Sequence, residues 1–458
     1  MGEPVVVVSN RGPLSFSEDE DGNLVAKRGG GGLASSLAPL TRGTGATWVS
    51  AALSDADRKA AASGVIEAEG FRIRALTIDR DEYRMAYDVI SNSTLWFLLH
   101  GMFDLPRRPR LDRRWRQAWD AYRNVNRAFA NAAIEEAPEG ATVLVQDYHL
   151  FLVGTWLAQE RHDVRAVHFS HVPFCPADDL RVLPADVAEE LLVGMSSHSS
   201  CGFHARRWAD NFERCCKQVL GWKPATFVSP LAPDRDEVTS LSHSDDCERE
   251  LRQLDEEVAG RHLIARVDRV ELSKNVLRGF LAFDELLETR PEWRERVVFA
   301  AQIYPSRLEL AEYLAYRHEV ETLSQRLNDR WATESWTPIM LDTSDNLPRS
   351  MAVLRRYDVL LVNPVRDGLN LVAMEGPLVN DRDGVLVLSR EAGVCQGLEG
   401  RALEVNPFDI SGTAEALAAA LAMPPPERQA HAERLREASQ ARSPGDWLEE
   451  QLQSARRE

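Results

Sequence analysis

The sequence has few cysteines and no long apolar run, and both absences restrict the class of protein. No two of the cysteines form a Cys-x-x-Cys pair in 458 residues; they are Cys175, Cys201, Cys215, Cys216, Cys247 and Cys395. Zinc sites pair their ligands at short spacing, so the sequence predicts buried thiols in a reducing compartment and no metal site. No stretch reaches the ~18 apolar residues of a membrane span, and the N-terminus lacks the basic start of a secretory signal. We therefore expect a soluble, cytoplasmic protein with no membrane partner.

Basic residues are fewer than acidic ones. The chain has 54 Lys and Arg against 71 Asp and Glu, which gives a net charge of -17. Such a surface repels nucleic acid on average, while a few cations focused in a cleft can still bind a small anion. The one basic run lies between Arg107 and Arg116 and has Trp115 as its only stacking aromatic residue. We interpret that run as an exposed loop and helix start, and we predict no nucleic-acid partner.

Short runs of Val, Ile and Leu alternate with amphipathic stretches, which indicates βα units and an α/β fold. The predicted strands are Val5–Val8, Trp48–Ala51, Ile73–Ile78, Thr142–Val145, Ala166–Phe169, Thr226–Val228, His262–Ala265, Val297–Ala301, Ile339–Leu341, Val359–Val362, Val385–Leu388 and one near Leu403. Pro230 and Pro233 interrupt this pattern. We predict two doubly wound parallel-sheet domains, 1–233 and 234–442, and a final helix, 443–458, that packs back on the first domain.

A run of glycines, Gly29 to Gly32, precedes a predicted helix and follows Lys27 and Arg28. Glycines let backbone N–H groups approach a phosphate at the positive end of a helix. A flexible turn is the plainer interpretation, and the basic residues, with Arg11 after the first strand, favour an anion site. The acidic run from Glu18 to Asp21 is interpreted as an exposed hairpin tip.

Two residues of the first half follow predicted strands directly. Asp147 follows the strand that begins at Thr142, and His171 follows the strand that ends near Phe169. Ligands of open α/β sheets bind at the carboxyl ends of the strands, so both are candidate site residues. The alternative for Asp147 is a cap of the following helix, and the alternative for His171 is a structural histidine. A polar segment, residues 87–96, precedes another helical run.

The second half carries two clusters at strand-to-helix junctions. Arg269 and Lys274 are two cations that could clamp a diphosphate leaving group. Asp367 and Gly368 form a tight turn before a helix that carries Glu375. A helix N-terminus for the diphosphate and carboxylates for hydroxyls suit a nucleotide sugar. Arg307 adds a cation just beyond another strand.

Seven motifs in order resemble the trehalose-6-phosphate synthase family of GT-B glycosyltransferases. They are Ser9-Asn10-Arg11, Gly31-Gly32-Leu33, Asn92 to Trp96, Gln146 to Leu150, His171 to Phe174, Arg269 to Lys274 and Arg366 to Glu375. The resemblance implies two Rossmann-like domains facing across a cleft, retention at the anomeric carbon and no metal or other cofactor. The length leaves no room for the phosphatase module that fused relatives carry, so we expect a synthase alone, and a homo-oligomer is possible.

The resemblance also implies roles for individual residues. The catalytic positions are Arg269, Lys274, Asp367 and His171. The donor-binding positions are Gly31, Gly32, Gly368, Leu369, Asn370, Leu371, Val372 and Glu375. The acceptor-binding positions are Arg11, Tyr87, Trp96, Asp147 and Arg307. In these roles Arg269 and Lys274 hold the donor diphosphate, Glu375 binds the ribose, and His171 lies beside the transferred glucose.

The expected reaction moves glucose from a nucleotide diphosphate glucose to glucose 6-phosphate, giving α,α-trehalose 6-phosphate. The sequences of the glycine motif and the Lys274 motif resemble those of an actinobacterial branch. This resemblance favours GDP-glucose as the donor, with UDP-glucose as the other candidate. Two positions depart from the family pattern: Ala51 replaces a second Trp of the acceptor wall, and Met374 replaces a Lys. Ala51 motivates an alternative, a pseudo-glycosyltransferase that couples a nucleotide-linked cyclitol to an amino-cyclitol phosphate. A non-catalytic sugar-phosphate sensor is a further alternative.

Overall fold

A computed structural model describes residues 4–28, 32–307 and 309–456. The chain divides into two compact units: Met1–Pro230 with Pro444–Glu458, and Leu231–Ser443. Gly31, one of the predicted donor-binding residues, lies outside the described residues.

The first unit is built on a mostly parallel sheet. The strands of this unit are β1 (Val5–Val8), β2 (Leu14–Glu18), β3 (Leu24–Arg28), β4 (Thr47–Ala51), β5 (Val65–Ala68), β6 (Phe71–Leu76), β7 (Thr142–Gln146), β8 (Arg165–Ser170), β9 (Ser200–Phe203) and β10 (Thr226–Val228). Eight of them form the sheet, and β2 and β3 form a separate antiparallel hairpin. Its helices up to residue 230 are α1 (Gly32–Thr41), α2 (Asp55–Ala61), α3 (Arg80–Arg84), α4 (Trp96–His100), α5 (Arg113–Glu136), α6 (Val153–Glu160), α7 (Ala177–Leu180), α8 (Ala185–Ser196) and α9 (Arg206–Val219). A π-helical segment, Met85–Leu95, joins α3 to α4.

The strands of this sheet follow the order β10-β9-β8-β7-β1-β4-β6-β5. The pairs are parallel except β5 with β6, and the register places Val7 of β1 between Trp48 and Leu144. Val7 and Leu144 are fully buried, as expected for central strands that are covered on both faces and are therefore apolar throughout. Strands β4 to β6 lie on one side of β1, and strands β7 to β10 lie on the other side. The carboxyl ends of β1 and β7 therefore lie at the switch point of the sheet.

The second unit repeats this architecture. Its strands are β11 (His262–Arg269), β12 (Val297–Tyr304), β13 (Ile339–Asp342), β14 (Val359–Val362), β15 (Val385–Ser389) and β16 (Leu403–Val405). Its helices are α10 (Arg235–Ser242), α11 (Asp245–Val258), α12 (Val276–Thr289), α13 (Ala311–Trp331), α14 (Leu347–Arg356), α15 (Val372–Val379), α16 (Ile410–Ala422) and α17 (Pro425–Gln440). The strand order is β13-β12-β11-β14-β15-β16, with parallel pairs throughout. Here the switch point lies between β11 and β14.

The final helix, α18 (Pro444–Ala455), belongs to the first unit and packs against β7, β8, β9 and α1. Trp447 anchors it: the indole is fully buried and meets the ring of Phe169 edge-on, with 5.1 Å between centroids. Gln451 and Ser454 lie on the same buried face. The helix therefore covers the strands whose carboxyl ends carry Asp147 and His171.

The predicted α/β class and two parallel sheets are confirmed, and several local predictions need correction. The strand predicted at Ile73–Ile78 spans Phe71–Leu76 instead. Residues 87–96 do not precede a helical run but are part of it, in the π-helical segment and the first residue of α4. The sequence pattern does not reveal β5 or β9; β9 reads Ser-Cys-Gly-Phe and has little apolar character. The hairpin predicted at Glu18–Asp21 is present between β2 and β3.

The six cysteines are free and buried. Among the helices of the described residues, none combines the length and apolar character that crossing a membrane requires.

Candidate functional site

Three predicted site residues of the first unit follow adjacent strands of its sheet. Arg11 follows β1, Asp147 follows β7, and His171 follows β8. Because these strands are parallel neighbours, their carboxyl ends meet at one edge, where open α/β sheets bind ligands. An arginine, a carboxylate and an imidazole therefore lie at the same edge of the sheet.

Asp147 is held in an unusual backbone conformation. Its φ of 71° with ψ of 169° lies in a region that residues other than glycine avoid at a cost of about 1–3 kcal/mol. Its N–H donates to the carbonyl of Phe169 (2.8 Å), and its Oδ1 accepts from the backbone N–H of His171 (3.1 Å). Asp147 does stand at the cap position of the helical turn Tyr148–Leu150, but its side chain makes no capping hydrogen bond there. The strain instead aims the carboxylate across to the end of β8.

The ring of His171 is held from both nitrogens. Its Nε2 lies 3.0 Å from Oε1 of Gln146, and its Nδ1 lies 3.2 Å from Nε2 of His204. Burial, together with the neighbouring His204, lowers the pKa of His171 well below its usual value. The imidazole is therefore neutral at physiological pH.

Tyr87 connects this cluster to the end of β1. Its ring stacks on His149 on one side and on Tyr83 on the other, with 5.5 Å between centroids in each case. Tyr83 donates its hydroxyl proton to Oδ1 of Asn10 (2.9 Å), next to Arg11. His149 Nδ1 in turn lies 4.0 Å from Oδ2 of Asp147. Stacked rings thus run from the Asn10–Arg11 turn to Asp147.

Trp96 occupies a different position, at the start of α4. It is only 2% exposed and stacks on His100, with 4.2 Å between centroids. The structure therefore leaves little indole surface for the predicted contact with an acceptor.

In the second unit, Lys274 and Asp367 come together from the two strands at the switch point. Lys274 follows β11 and Asp367 follows β14, and Nζ lies 2.6 Å from Oδ2 of Asp367 and 3.7 Å from Oδ1 of Asp268. Burial alone lowers the pKa of Lys274, but the two carboxylates outweigh it and raise that pKa well above its usual value. Lys274 is therefore a permanent cation at this edge, and its position is set by Asp367.

The buried side of this pair is formed by Arg266 and Asp268. Arg266 is fully buried, lies 3.0 Å from Asp268 and donates to Oδ1 of Asn363 (2.6 Å). Burial raises the pKa of Asp268, and the cations Arg266 and Lys274 oppose this shift. A charge buried this deeply is tolerated only beside an opposite charge. Each carboxylate of this cluster accordingly lies next to a cation.

Arg269 and Arg307 meet at one carboxylate. Oε1 of Glu271 lies 3.4 Å from Nη1 of Arg269 and 3.7 Å from Nη1 of Arg307. Glu271 is 2% exposed and also accepts from the hydroxyl of Ser306 (3.2 Å). Glu271 raises the pKa of Arg269, which keeps that guanidinium charged. Two predicted anion-binding arginines thus share a buried counter-ion.

The segment from Asp367 to α15 is a tight loop that packs against Gly393. It runs beside residues 391–394: Gly393 N–H donates to the Asp367 carbonyl (3.1 Å), and Val394 N–H donates to the Leu369 carbonyl (2.9 Å). A Cβ on Gly393 would lie 1.9 Å from the Gly368 oxygen, so only glycine fits there. Asn370 adopts a positive φ of 82° and donates to Oδ2 of Asp367 (3.1 Å).

The predicted donor positions Gly368, Leu369, Asn370, Leu371 and Val372 form this loop and the first residue of α15. Gly32, the other described glycine of the predicted donor set, begins α1 of the first unit. Glu375 lies in the first turn of α15, where burial and the nearby Glu237 raise its pKa to about 7. The helix N-terminus, the cations and this carboxylate suit a ligand with phosphates and hydroxyls.

Several residues of these clusters were missed by sequence reasoning. His204 stands at the end of β9, a strand the sequence pattern does not reveal, and Gln146 stands next to Asp147. Glu271 lies within the motif Arg269 to Lys274 and Asp268 directly precedes it, so their spacing was an available signal. Gln451, on α18, gave no signal at all, because it approaches Gln146 only in the folded chain.

Comparison with known proteins places this geometry in a family. The profile of Glycosyltransferase family 20 matches residues 3–457. The chain is 33% identical over 386 residues to the bifunctional trehalose-6-phosphate synthase/phosphatase of Thermoproteus tenax, covering 80% of this chain and 52% of that protein. It is 31% identical over 468 residues to the trehalose-6-phosphate synthase of Mycolicibacterium smegmatis, covering 96% and 90%. The chain thus spans about half the length of the bifunctional relative.

Solved structures agree with the sequence comparison. The chain resembles a UDP-forming α,α-trehalose-phosphate synthase of Burkholderia xenovorans, solved in complex with glucose-6-phosphate, with a TM-score of 0.84 and 29% identity. The likeness covers 99% of this chain and 100% of that one. The two parallel-sheet α/β units therefore have the GT-B fold, and the chain belongs to glycosyltransferase family 20.

Proposed function

We propose that the protein transfers glucose from a nucleotide diphosphate glucose to glucose 6-phosphate, forming α,α-trehalose 6-phosphate with retention. The observation that carries the proposal is the Lys274–Asp367 pair beside the N-terminus of α15. It supplies a cation for a diphosphate, a carboxylate for sugar hydroxyls and a helix N-terminus. Relatives named as trehalose-6-phosphate synthases support the choice of reaction.

The donor diphosphate would bind between the cations of β11 and the start of α15. As the bond between the sugar and the diphosphate breaks, negative charge grows on the leaving oxygen. Arg269 and Lys274 are held charged by Glu271 and Asp367, so they stabilise that charge without first having to order themselves. Asp367 would accept hydrogen bonds from the glucose hydroxyls while it keeps Lys274 beside the diphosphate.

The resemblance assigns the phosphate of glucose 6-phosphate to Arg11, Tyr87 and Arg307, and the proposal keeps these three roles. The carboxylate of Asp147, fixed by the N–H of His171, would accept from a sugar hydroxyl. With retention, a leaving phosphate oxygen removes the acceptor proton, so the proposal requires no side-chain nucleophile.

The proposal includes no metal, because Arg269 and Lys274 supply the positive charge that a metal would otherwise bring to a diphosphate. Turnover should therefore persist in excess EDTA. Loss of turnover in EDTA with recovery on adding Mg²⁺ would refute this part.

The choice of nucleotide belongs to the same proposal. We favour GDP-glucose because of the amino-acid sequences of the glycine motif and the Lys274 motif, although the Burkholderia xenovorans relative is named UDP-forming. Release of GDP and UDP from the two sugar nucleotides, each with and without glucose 6-phosphate, tests donor and acceptor together. The product is identified by mass and by trehalase digestion after dephosphorylation.

Acceptor-dependent release that yields trehalose supports the reaction. Donor binding without turnover would favour the cyclitol-coupling alternative, which Ala51 in the acceptor wall motivates, and binding of neither substrate would refute both. Lys274→Met should lower kcat by about 10²–10³-fold, the usual loss when one charge-stabilising donor is removed. Lys59→Met is the matched control, since Lys59 also pairs with a carboxylate, Glu18, but at an exposed position.

A further inference from the structure

His171 lies in a chain of hydrogen bonds that reaches the C-terminal helix. Gln451 of α18 is fully buried, and its Oε1 accepts from Nε2 of Gln146 at 3.1 Å, across 305 positions of sequence. Gln146 is also fully buried, and its Oε1 faces Nε2 of His171 at 3.0 Å. On the other side of the ring, Nδ1 of His171 faces Nε2 of His204 at 3.2 Å.

The orientation of both glutamines follows from the end of the chain. The carbonyl of Trp447 can only accept, and it faces Nε2 of Gln451 at 3.5 Å. Gln451 therefore presents its oxygen to Gln146, and Gln146 presents its oxygen to His171. Since that oxygen can only accept, Nε2 of His171 carries a proton.

The rings around His171 restrict its movement. Trp447 lies 5.6 Å from it and Phe169 lies 5.1 Å from it, between centroids. His204 is 4% exposed and also lies beside the backbone of Ser229. Both rings are neutral, so a His171 that carries its proton on Nε2 can only accept at Nδ1. The proton of His204 then lies on its Nε2 and faces His171, not Ser229.

We propose that Gln451 and His204 are positioning residues for His171: Gln451 sets its tautomer through Gln146, and His204 holds its ring from the Nδ1 side. This inference rests on the proposed function for its catalytic consequence, in which His171 lies beside the transferred glucose. Its structural part, the protonated Nε2, does not depend on that function. The C-terminal helix is then a working part of the site as well as a cover for the sheet.

The tautomer is measured by ¹⁵N NMR of protein labelled at histidine, with the His171 signals assigned from their loss in His171→Gln. The result expected for the full chain is a proton on Nε2 of His171. In Gln451→Leu the amide of Gln146 loses its partner and can turn, so the Nε2-protonated population should fall. Ser454→Ala is the matched control. Ser454 is buried on the same helix and its hydroxyl bonds that of Ser200 at 2.6 Å, a contact that takes no part in the hydrogen bonds leading to His171.

Kinetics test the positioning itself. Gln451→Leu should lower kcat by between about tenfold and about a hundredfold, as small misplacements of site groups do, while the KM for the donor stays within about twofold. His204→Gln keeps an N–H donor near the position of Nε2 and should retain activity, whereas His204→Leu fills the space without a donor and should lose it. A merely structural role would not distinguish Gln from Leu at this position.

Three results would overturn the proposal: a wild-type His171 protonated only on Nδ1, equal kcat in Gln451→Leu and Ser454→Ala, or equal activity in His204→Gln and His204→Leu. The wild-type tautomer decides the structural part even if a variant fails to fold. If the wild type shows the tautomer but turns over no sugar nucleotide, the proposed function has failed and the arrangement of His171 stands.

Discussion

Raising the pH through neutrality should tighten donor binding, because Glu375 changes its charge there. Burial and the like charge of Glu237 raise the pKa of Glu375 to about 7. In the proposed site Glu375 binds the ribose of the donor. Only its carboxylate accepts hydrogen bonds from both ribose hydroxyls, so the neutral acid binds the donor less well. The ionised fraction is roughly a tenth at about pH 6 and roughly nine tenths at about pH 8. The KM for the donor should therefore fall by roughly tenfold over that range.

The assay is the initial rate of nucleotide release against donor concentration, with glucose 6-phosphate saturating throughout. Saturation matters because the phosphate of the acceptor has its own second pKa of about 6, whereas the diphosphate of a sugar nucleotide carries no such group. Glu375→Gln should have a high KM at all pH values. Glu237→Gln removes the like charge and should move the inflection to lower pH while leaving the pH dependence in place.

A donor KM that stays constant across this range in the wild type would refute the reasoning. So would an unchanged pH dependence in Glu375→Gln, since another group would then be responsible. An inflection that does not move in Glu237→Gln would assign the raised pKa to burial alone.

Other expectations concern the two anion sites and the stability of the first unit. Arg269→Ala should raise chiefly the KM for the donor and Arg307→Ala chiefly that for glucose 6-phosphate; steady-state kinetics with each substrate varied would contradict the assignment if both variants affected the same substrate. Gly154→Ala would place a Cβ 2.6 Å from the carbonyl of Gly194 and 2.4 Å from the ring of His198, so overpacking should cost about 1–3 kcal/mol; an unchanged thermal midpoint would be inconsistent with this contact between α6 and α8. Buried histidines have pKa values below the unfolded value, to about 4 for His198, so the native state resists protonation and stability should decline from about pH 6.5 downward by up to ~1.4 kcal/mol per pH unit for each group. Urea midpoints between about pH 7 and about pH 5 measure this, and a His198→Phe variant with the same slope would exclude a contribution from that ring.

The fold class and most strands were predictable because their signals are local. Apolar runs such as Val5–Val8 and Val359–Val362 must be buried on both faces, and any parallel sheet with helical crossovers satisfies that requirement. Strand ends then mark candidate site residues, which is why Asp147, His171 and Asp367 could be named from sequence. The strand β9 could not, since Ser200–Phe203 takes its place in the sheet through its neighbours and not through its own composition.

The sequence by itself determined which chemical groups stand at the strand ends and that glycine-rich turns lead into helices there. Only the tertiary structure decided which of those groups meet. The contact of Gln451 with Gln146, the shared carboxylate of Arg269 and Arg307, and the strained backbone of Asp147 all depend on packing between distant segments. The same holds for the raised pKa of Glu375, because burial and a neighbouring charge are properties of the folded environment and not of the residue.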